Sequence, residues 1–114
     1  MAQLGLRPLD LGQMVAELWQ LRLYKDIDAS PWLIEGFVDG YTAGHSEVDE
    51  SFAFRVILHV GAHLVCFGSR TPGWGTPEQQ EEIMKIGGDT IVKAWSKDRG
   101  AFDGHVLECL FPQN

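Results

Sequence analysis

Residues 48–67 would form a helix with apolar side chains on nearly every side. A surface helix carries its apolar residues on one stripe, with a period of about 3.6 residues. The apolar residues here do not fit one stripe: Phe52, Phe54, Val56, Ile57, Leu58, Val60, Leu64 and Val65. Such a helix needs other elements to cover it. The segment therefore predicts a central helix enclosed by its neighbours.

Two helix starts combine a capping residue with proline. They are Ser-Pro at 30–31 and Thr-Pro at 76–77. Proline suits the first helical position, because the N–H that it lacks has no partner in the helix there. Gln79 completes a capping box in the second start. We expect the second helix to end near residues 40–44 and the fourth helix to cover about 77–97.

Two more helix starts rest on acidic residues. Asp10 has Gln13 three residues later, which is the spacing of a capping box. The acids of segment 46–49 suit the positive end of a helix dipole, so the central helix should begin there. A last short helix is expected over 101–110.

The predicted fourth helix carries an apolar stripe and a glycine pair. The stripe consists of Met84, Gly88, Ile91, Val92 and Trp95. Gly87 and Gly88 should each cost about 1 kcal/mol relative to alanine. We interpret the pair as a site of close helix packing or a kink rather than a ligand contact. No strand pattern or repeat is visible. The sequence therefore predicts an all-α fold, with four to five helices in a single domain covering residues 1–114.

Charge and composition exclude several classes of partner. The 114 residues carry a net charge of −7, whereas nucleic acids and anionic membranes are bound by basic patches. The longest apolar run, 56–67, is too short to span a bilayer, and no signal peptide is recognisable. Cys66 and Cys109 lack the spacing of a metal or redox motif. We expect a soluble cytoplasmic protein without a metal or cofactor, and Cys66 as an inert core thiol.

Five segments resemble a known family. They are AQLGLRPLDLGQMVAEL, LIEGFVDGY, FRVILHVGAHLVC, PGWGTPEQ and IVKAWSKDR, and the most specific parts are PGWGTPEQ and LDLGQM. In this order they resemble the C-terminal third of fungal phosphotransferase-family proteins, which have the aminoglycoside-phosphotransferase and choline-kinase-like fold. The resemblance covers nearly the whole chain and implies the helical C-terminal subdomain of that fold.

The resemblance also implies which kinase parts this sequence does not contain. The nucleotide lobe, the catalytic loop and the metal-holding aspartate of the family all precede the stretch that matches Ala2–Gly5. Phosphoryl transfer depends on those parts, so kinase activity is not expected. Asp10 matches a residue that braces the catalytic loop in the family. A lobe without its neighbour would leave apolar faces to be covered by a second copy, which predicts a homodimer.

His59 and His63 are the first candidates for chemistry. Four residues separate them on the central helix, so they share one face. Histidine titrates near neutral pH and serves as a general acid or base. The alternative is two core histidines that are held by packing, and the family carries histidines at similar positions for that purpose. A metal site would need a third ligand.

Glu17 and the tryptophans are further candidates. Glu17 lies among apolar residues of the first helix, so it is either a buried acid with a raised pKa or a solvated residue at the edge of the stripe. Four tryptophans either line a pocket for a flat organic ligand or pack in the core: Trp19, Trp32, Trp74 and Trp95.

Three functions remain open at this point. The first is binding of a small organic molecule, with acid–base isomerase, epimerase or cyclase activity on a secondary metabolite. His59 and His63 would carry protons in that reaction, and Asp10 or Glu17 would be their partner. The second is a non-catalytic dimeric interaction module or a remnant of a phosphotransferase. The third, a reduced kinase, conflicts with the missing parts.

Overall fold

The computed structural model describes residues 8–42, 49–67 and 75–112. It contains four α-helices: α1 (Pro8–Lys25), α2 (Ser30–Thr42), α3 (Glu50–Cys66) and α4 (Pro77–Trp95). Two 3₁₀ helices follow, Arg99–Phe102 and Val106–Leu110, where the sequence predicted one short helix. No strand occurs in the described ranges, and the predicted all-α fold class is confirmed.

Helix α3 lies at the centre, as its apolar pattern predicts. It packs against α1 on one side and α4 on another, while α2 packs on α1. Val56, Val60 and Leu64 on α3 are fully buried. The continuous apolar run of this helix therefore contacts two neighbouring helices and the C-terminal residues at the same time.

Glycines permit close contact between α3 and both of its neighbours. A Cβ atom added to Gly87 on α4 would lie 2.9 Å from the carbonyl oxygen of Gly61 on α3. A Cβ added to Gly61 would lie 2.8 Å from the carbonyl oxygen of Gly87. On the other side, a Cβ added to Gly12 would lie 2.6 Å from Cβ of His59. The interpretation of Gly87 as a packing glycine is thus confirmed, whereas Gly88 has no neighbour within 4 Å of an added Cβ.

The apolar stripe predicted for α4 is wrong by one position. The buried residues are Ile83, Gly87, Thr90 and Ala94. Of the predicted stripe, Met84, Val92 and Trp95 are exposed. On the buried face, Gly87 lets α4 touch the backbone of α3 at Gly61, whereas the predicted stripe carries the other glycine, Gly88. This rotation leaves Trp95 with 78% of its surface exposed.

The helix starts follow the local signals with one exception. Thr76 and Gln79 form both hydrogen bonds of the capping box, and the Asp49 carboxylate accepts a hydrogen bond from the backbone N–H of Phe52. Residues 46–48 lie outside the described residues. Asp10 is not an N-cap, because α1 already begins at Pro8.

The side chains beside two predicted starts bond elsewhere. The amide of Gln13 donates to the Glu17 carboxylate at 3.4 Å instead of reaching back to Asp10. The second helix starts at Ser30 as predicted, but the buried Ser30 hydroxyl donates to the carbonyl of Leu18 on α1 at 2.6 Å. This hydroxyl joins α2 to α1 rather than capping its own helix.

The C-terminal segment, residues 99–111, closes the core. It inserts buried apolar side chains, which are Phe102, Leu107, Leu110 and Phe111. The ring of Phe111 lies edge-on to Phe54 of α3, with 5.0 Å between the ring centroids. The Arg99 guanidinium stacks 4.9 Å above the Phe111 ring and binds Glu50 at 2.8 Å. The segment therefore contacts the start of α3 through both apolar packing and an ion pair.

The remaining organisational predictions are not decided by the fold. No helix in the described part of the chain is long and apolar enough to cross a membrane. Several large apolar side chains stay exposed, among them Phe67 at 65% and Trp32 at 79%. The homodimer, the single-domain organisation and the cytoplasmic location remain predictions.

Candidate functional site

The structure brings two of the four predicted site residues together. Glu17 is exposed on α1, and His63 is half-buried on the adjoining α3. Burial lowers the pKa of His63, and the negative charge of Glu17 raises it in opposition. The His63 ring also packs on Phe67, with 5.2 Å between the ring centroids. The solvated interpretation of Glu17 is confirmed, and its carboxylate influences His63.

The other two predicted residues lie on the same two helices, His59 on α3 and Asp10 on α1. His59 is half-buried, and its Cβ lies opposite Gly12 where α1 meets α3. Asp10 is exposed and precedes Glu17 by about two helical turns. None of these side chains lines either of the two cavities described below.

A groove with a volume of about 800 Å³ runs between α2 and the C-terminal segment. We call it the acidic groove, and its lining residues are Pro31, Trp32, Glu35, Asp39, Gly104, His105, Val106, Glu108 and Cys109. Three of them carry carboxylates, and no described lysine or arginine lines the groove. Neither Glu35 nor Asp39 forms an ion pair with a described residue. The groove therefore presents uncompensated negative charge.

Helical spacing places the α2 side of this groove on one face. Trp32, Glu35 and Asp39 follow each other at three and four residues, which aligns side chains along a helix. These three residues were not predicted to form a site together. Their spacing could have indicated it, because a tryptophan followed by two acids at three and four residues forms a polar stripe opposite the apolar residues of α2. Trp32 is exposed because the buried face of α2 is formed by Ile34 and Val38.

His105 lies at the other wall of the acidic groove. Its Nδ1 accepts a hydrogen bond from the backbone N–H of Leu107 at 3.0 Å. The ring is edge-on to Trp19 and to Phe102, at centroid distances of 5.3 Å and 5.4 Å. Burial lowers the pKa of His105, and Lys93 lowers it further, against the opposing charge of Asp89. Because Nδ1 accepts the Leu107 N–H, the neutral imidazole carries its proton on Nε2, where it is a hydrogen-bond donor.

The prediction of Cys66 as a core thiol is wrong, and Cys109 is the more buried of the two cysteines. Cys66, predicted as a core thiol, is exposed at the end of α3. Cys109 is half-buried in the wall of the acidic groove, and its thiol lies 3.6 Å from the carbonyl of Val106. Burial, followed by the negative charges of Glu35 and Asp39, raises the pKa of Cys109 to about 11. This thiol is protonated at neutral pH, so it does not act as a nucleophile there.

The tryptophans divide between the core and two separate cavities. Trp19 is buried, Trp32 lines the acidic groove and Trp95 lines a second cavity near the start of α3. Trp74 lies outside the described residues. The predicted aromatic pocket is therefore not a single site. Within the described ranges, no group of three or more histidine, cysteine, aspartate or glutamate side chains is placed to hold a metal ion.

Comparison with known proteins places the chain near a phosphotransferase. Over 103 residues it is 29% identical to "Phosphotransferase FrzJ" of Cladobotryum sp, and the alignment covers 90% of this chain. The chain spans only 26% of the length of that relative. No protein-family profile matches the chain, and no solved structure matches it. The likeness supports the coarse part of the predicted resemblance, a relation to part of a fungal phosphotransferase.

Proposed function

We propose that this chain binds a small organic cation in the acidic groove. The observation that carries the proposal is a set of carboxylates around an exposed indole that form no ion pair within the described part of the chain, although Glu108 accepts a hydrogen bond from the backbone N–H of Gly104 at 3.3 Å. Glu35, Asp39 and Glu108 surround a groove to which Trp32, 79% exposed, offers its ring. The groove volume of about 800 Å³ lies within the range of about 300–1,000 Å³ that is usual for ligand sites.

The chemistry of the groove favours an organic ammonium group over a neutral ligand. A cation over an indole face gains about 0.5–1 kcal/mol at exposed sites and more where water is excluded. Nearby carboxylates add charge attraction. The Nε2–H group of His105 supplies one donor for an oxygen atom of the same ligand. A ligand that carries both an ammonium and a hydroxyl or carbonyl group satisfies all of these features.

Binding of 2-phenylethylamine, with 2-phenylethanol as its neutral counterpart, tests this proposal. We expect the amine to shift the NMR signal of the Trp32 indole N–H with a dissociation constant on the order of 1 mM. The double variant Glu35→Gln/Asp39→Asn should weaken this binding about tenfold, because each charge pair in a solvated site contributes up to about 1 kcal/mol. Trp32→Ala lacks this indole signal, so its binding is read from the backbone amide signals of residues 104–109, and it should weaken about three- to fivefold.

The matched control for the charge change is Glu78→Gln/Glu82→Gln on α4. It removes two exposed acids that do not line the groove, and it should leave amine binding unchanged. The titrations are made at about 150 mM salt, where charges more than about 8 Å apart are screened. Equal binding of the alcohol and the amine, or equal loss in both double variants, would contradict the proposal.

A second candidate function is acid–base catalysis by His63 and Glu17, as an isomerase, epimerase or cyclase of a secondary metabolite. The interaction of Glu17 with His63 across the α1–α3 contact favours it. His63, with its lowered pKa, would act as the base, and Glu17 would orient it. His59 on the next turn and Asp10 on α1 would contribute further polar groups.

Glu17→Gln gives a pH-dependent test of this pair. Removing the carboxylate should lower the pKa of His63 further, because the charge of Glu17 raises it in the folded protein. NMR titration of the imidazole signal measures this shift, with Glu78→Gln as the control. Catalysis itself is tested by incubating the protein with a metabolite extract of its source organism in D₂O. A new isomer one mass unit heavier should appear, and His63→Gln should abolish it, whereas an unchanged isomer profile would rule out this second candidate.

The inferred ancestry accords with either function. We infer that the chain derives from the C-terminal helical part of a phosphotransferase. The support is its similarity to a quarter-length (26%) portion of a phosphotransferase and its all-α fold. The alternative, a non-catalytic dimeric interaction module, predicts that neither the amine nor the isomer experiment gives a signal.

A further inference from the structure

A second cavity, with a volume of about 330 Å³, lies between the first half of α3 and the end of α4. We call it the basic cavity. Its lining combines apolar side chains with one serine and two cations. The lining residues are Phe54, Leu58, Ala94, Trp95, Ser51, Arg55 and Lys97. It shares no lining residue with the acidic groove. Its chemistry is therefore independent of the function proposed above.

The two cations of the basic cavity stand out in a chain of net charge −7. Neither Arg55 nor Lys97 forms an ion pair with a residue in the described part of the chain. Glu50, at the start of the same helix as Arg55, is already bound by Arg99 at 2.8 Å. Among the described residues, the cavity thus offers two positive charges without an ion-pair partner to an incoming anion.

The backbone at Lys97 adopts a left-handed conformation. Its φ of 56° lies in the left-handed region, which glycine normally occupies after a helix. Its backbone N–H donates to the carbonyl of Ala94 at 3.0 Å, and that of Asp98 donates to Lys93 at 3.1 Å, so the conformation belongs to the end of α4. A side chain at this position costs stability that glycine would not. Replacing Lys97 by glycine should therefore stabilise this turn.

The apolar part of the basic cavity includes an exposed aromatic surface on which the ring of a ligand can pack. Trp95 is 78% exposed, although it directly follows the buried Ala94, and Leu58 is half-buried beside it. Because α4 packs on α3 through Gly87, the Trp95 indole faces away from the core. The cavity thus joins an exposed aromatic face to two cations within one site.

We propose that the basic cavity binds a small aromatic carboxylate. Its ring packs on Trp95 and Leu58, and its carboxylate accepts hydrogen bonds from Arg55 and Lys97. A guanidinium binds a carboxylate with two parallel hydrogen bonds, which makes such contacts stronger than neutral ones. A simple inorganic anion would use the cations but not the apolar lining.

Titration of the full chain with 2-naphthoate tests this site. We expect 2-naphthoate to shift the indole N–H signal of Trp95, which is assigned by its loss in Trp95→Phe. The neutral 2-naphthamide should bind at least about fivefold more weakly, because it lacks the charge that the two cations recognise. Inorganic phosphate at the same concentration should not displace 2-naphthoate. Binding of 2-naphthamide as tight as that of 2-naphthoate, or displacement by phosphate, would overturn the proposal.

The variant Lys97→Gly separates binding from folding. Glycine relieves the left-handed backbone at this position, so the melting temperature should rise, while 2-naphthoate binding weakens about three- to tenfold. Arg55→Gln should weaken binding similarly. Lys85→Gln on α4 is the matched control, since it removes one positive charge that does not line the cavity. A stabilised Lys97→Gly variant that binds 2-naphthoate like the unchanged chain would refute the assignment.

Discussion

Gly87→Ala is expected to lower the free energy of unfolding by up to about 2 kcal/mol, because the new methyl group would overpack the contact between α4 and α3 at a cost of about 1–3 kcal/mol, and the gain in helix propensity of about 1 kcal/mol offsets only part of that cost. The added Cβ would lie 2.9 Å from the carbonyl oxygen of Gly61 and 3.0 Å from Cβ of Leu64. Backbone atoms on a buried helix cannot move away as a flexible side chain can. The two helices would have to separate, and the contact on which α3 depends would loosen.

The adjacent Gly88→Ala is the matched control for this variant. Both substitutions gain the same helix propensity, about 1 kcal/mol. An added Cβ at Gly88 meets nothing within 4 Å. We therefore expect Gly88→Ala to stabilise the fold by up to about 1 kcal/mol. Urea denaturation of both variants measures the difference, and equal effects at the two positions would show that α4 does not pack on α3 through Gly87.

Phe111→Ala is expected to destabilise the fold by about 3–5 kcal/mol, the usual cost of removing a buried ring. Phe111 is 2% exposed and contacts the rings of Phe54 and Phe102, while the Arg99 guanidinium stacks above it. Its removal leaves a cavity where the C-terminal segment joins α3. Since that segment forms one wall of the acidic groove, binding of 2-phenylethylamine should be lost together with stability.

Phe67→Ala is the control, because it makes the same substitution at a ring that is 65% exposed. We expect a change within about 0.5 kcal/mol, as is usual at exposed positions. Denaturation curves give the two stabilities, and hydrogen exchange of the amides in segment 99–111 shows where protection is lost. Similar losses in the two variants, or protection retained in the segment after Phe111→Ala, would contradict the role assigned to this ring.

The sequence supported some predictions about the fold and site better than others. The capping box at Thr76 and the cap at Asp49 were predictable, because such signals involve residues only three positions apart. Asp10 was misassigned, since local signals do not exclude an earlier start at Pro8. Of the candidate site, His63 and Glu17 were both named from the sequence, but no pattern within one helix could show that α1 and α3 bring the charge of Glu17 to bear on His63.

The acidic groove and the basic cavity were not predictable from the sequence. Each is formed by residues distant in sequence, such as Trp32 with Glu108, or Arg55 with Lys97. Their charges and aromatic rings were visible in the sequence. Their association was not, because it depends on how the C-terminal segment lies against α2 and on how α4 is rotated against α3.

By itself, the sequence determined the helical class, the central position of α3 and the helix starts at Asp49 and Thr76, all of which rest on periodicity and short-range hydrogen bonding. Only the tertiary structure decided which face of α4 is buried. Apolar side chains favoured the stripe with Met84, Val92 and Trp95, but the backbone contact at Gly87 requires the face with Ile83 and Ala94. The sequence could not decide between the two faces because each offers a glycine, and only the packing of α4 on α3 shows that Gly87, rather than Gly88, meets the backbone of Gly61.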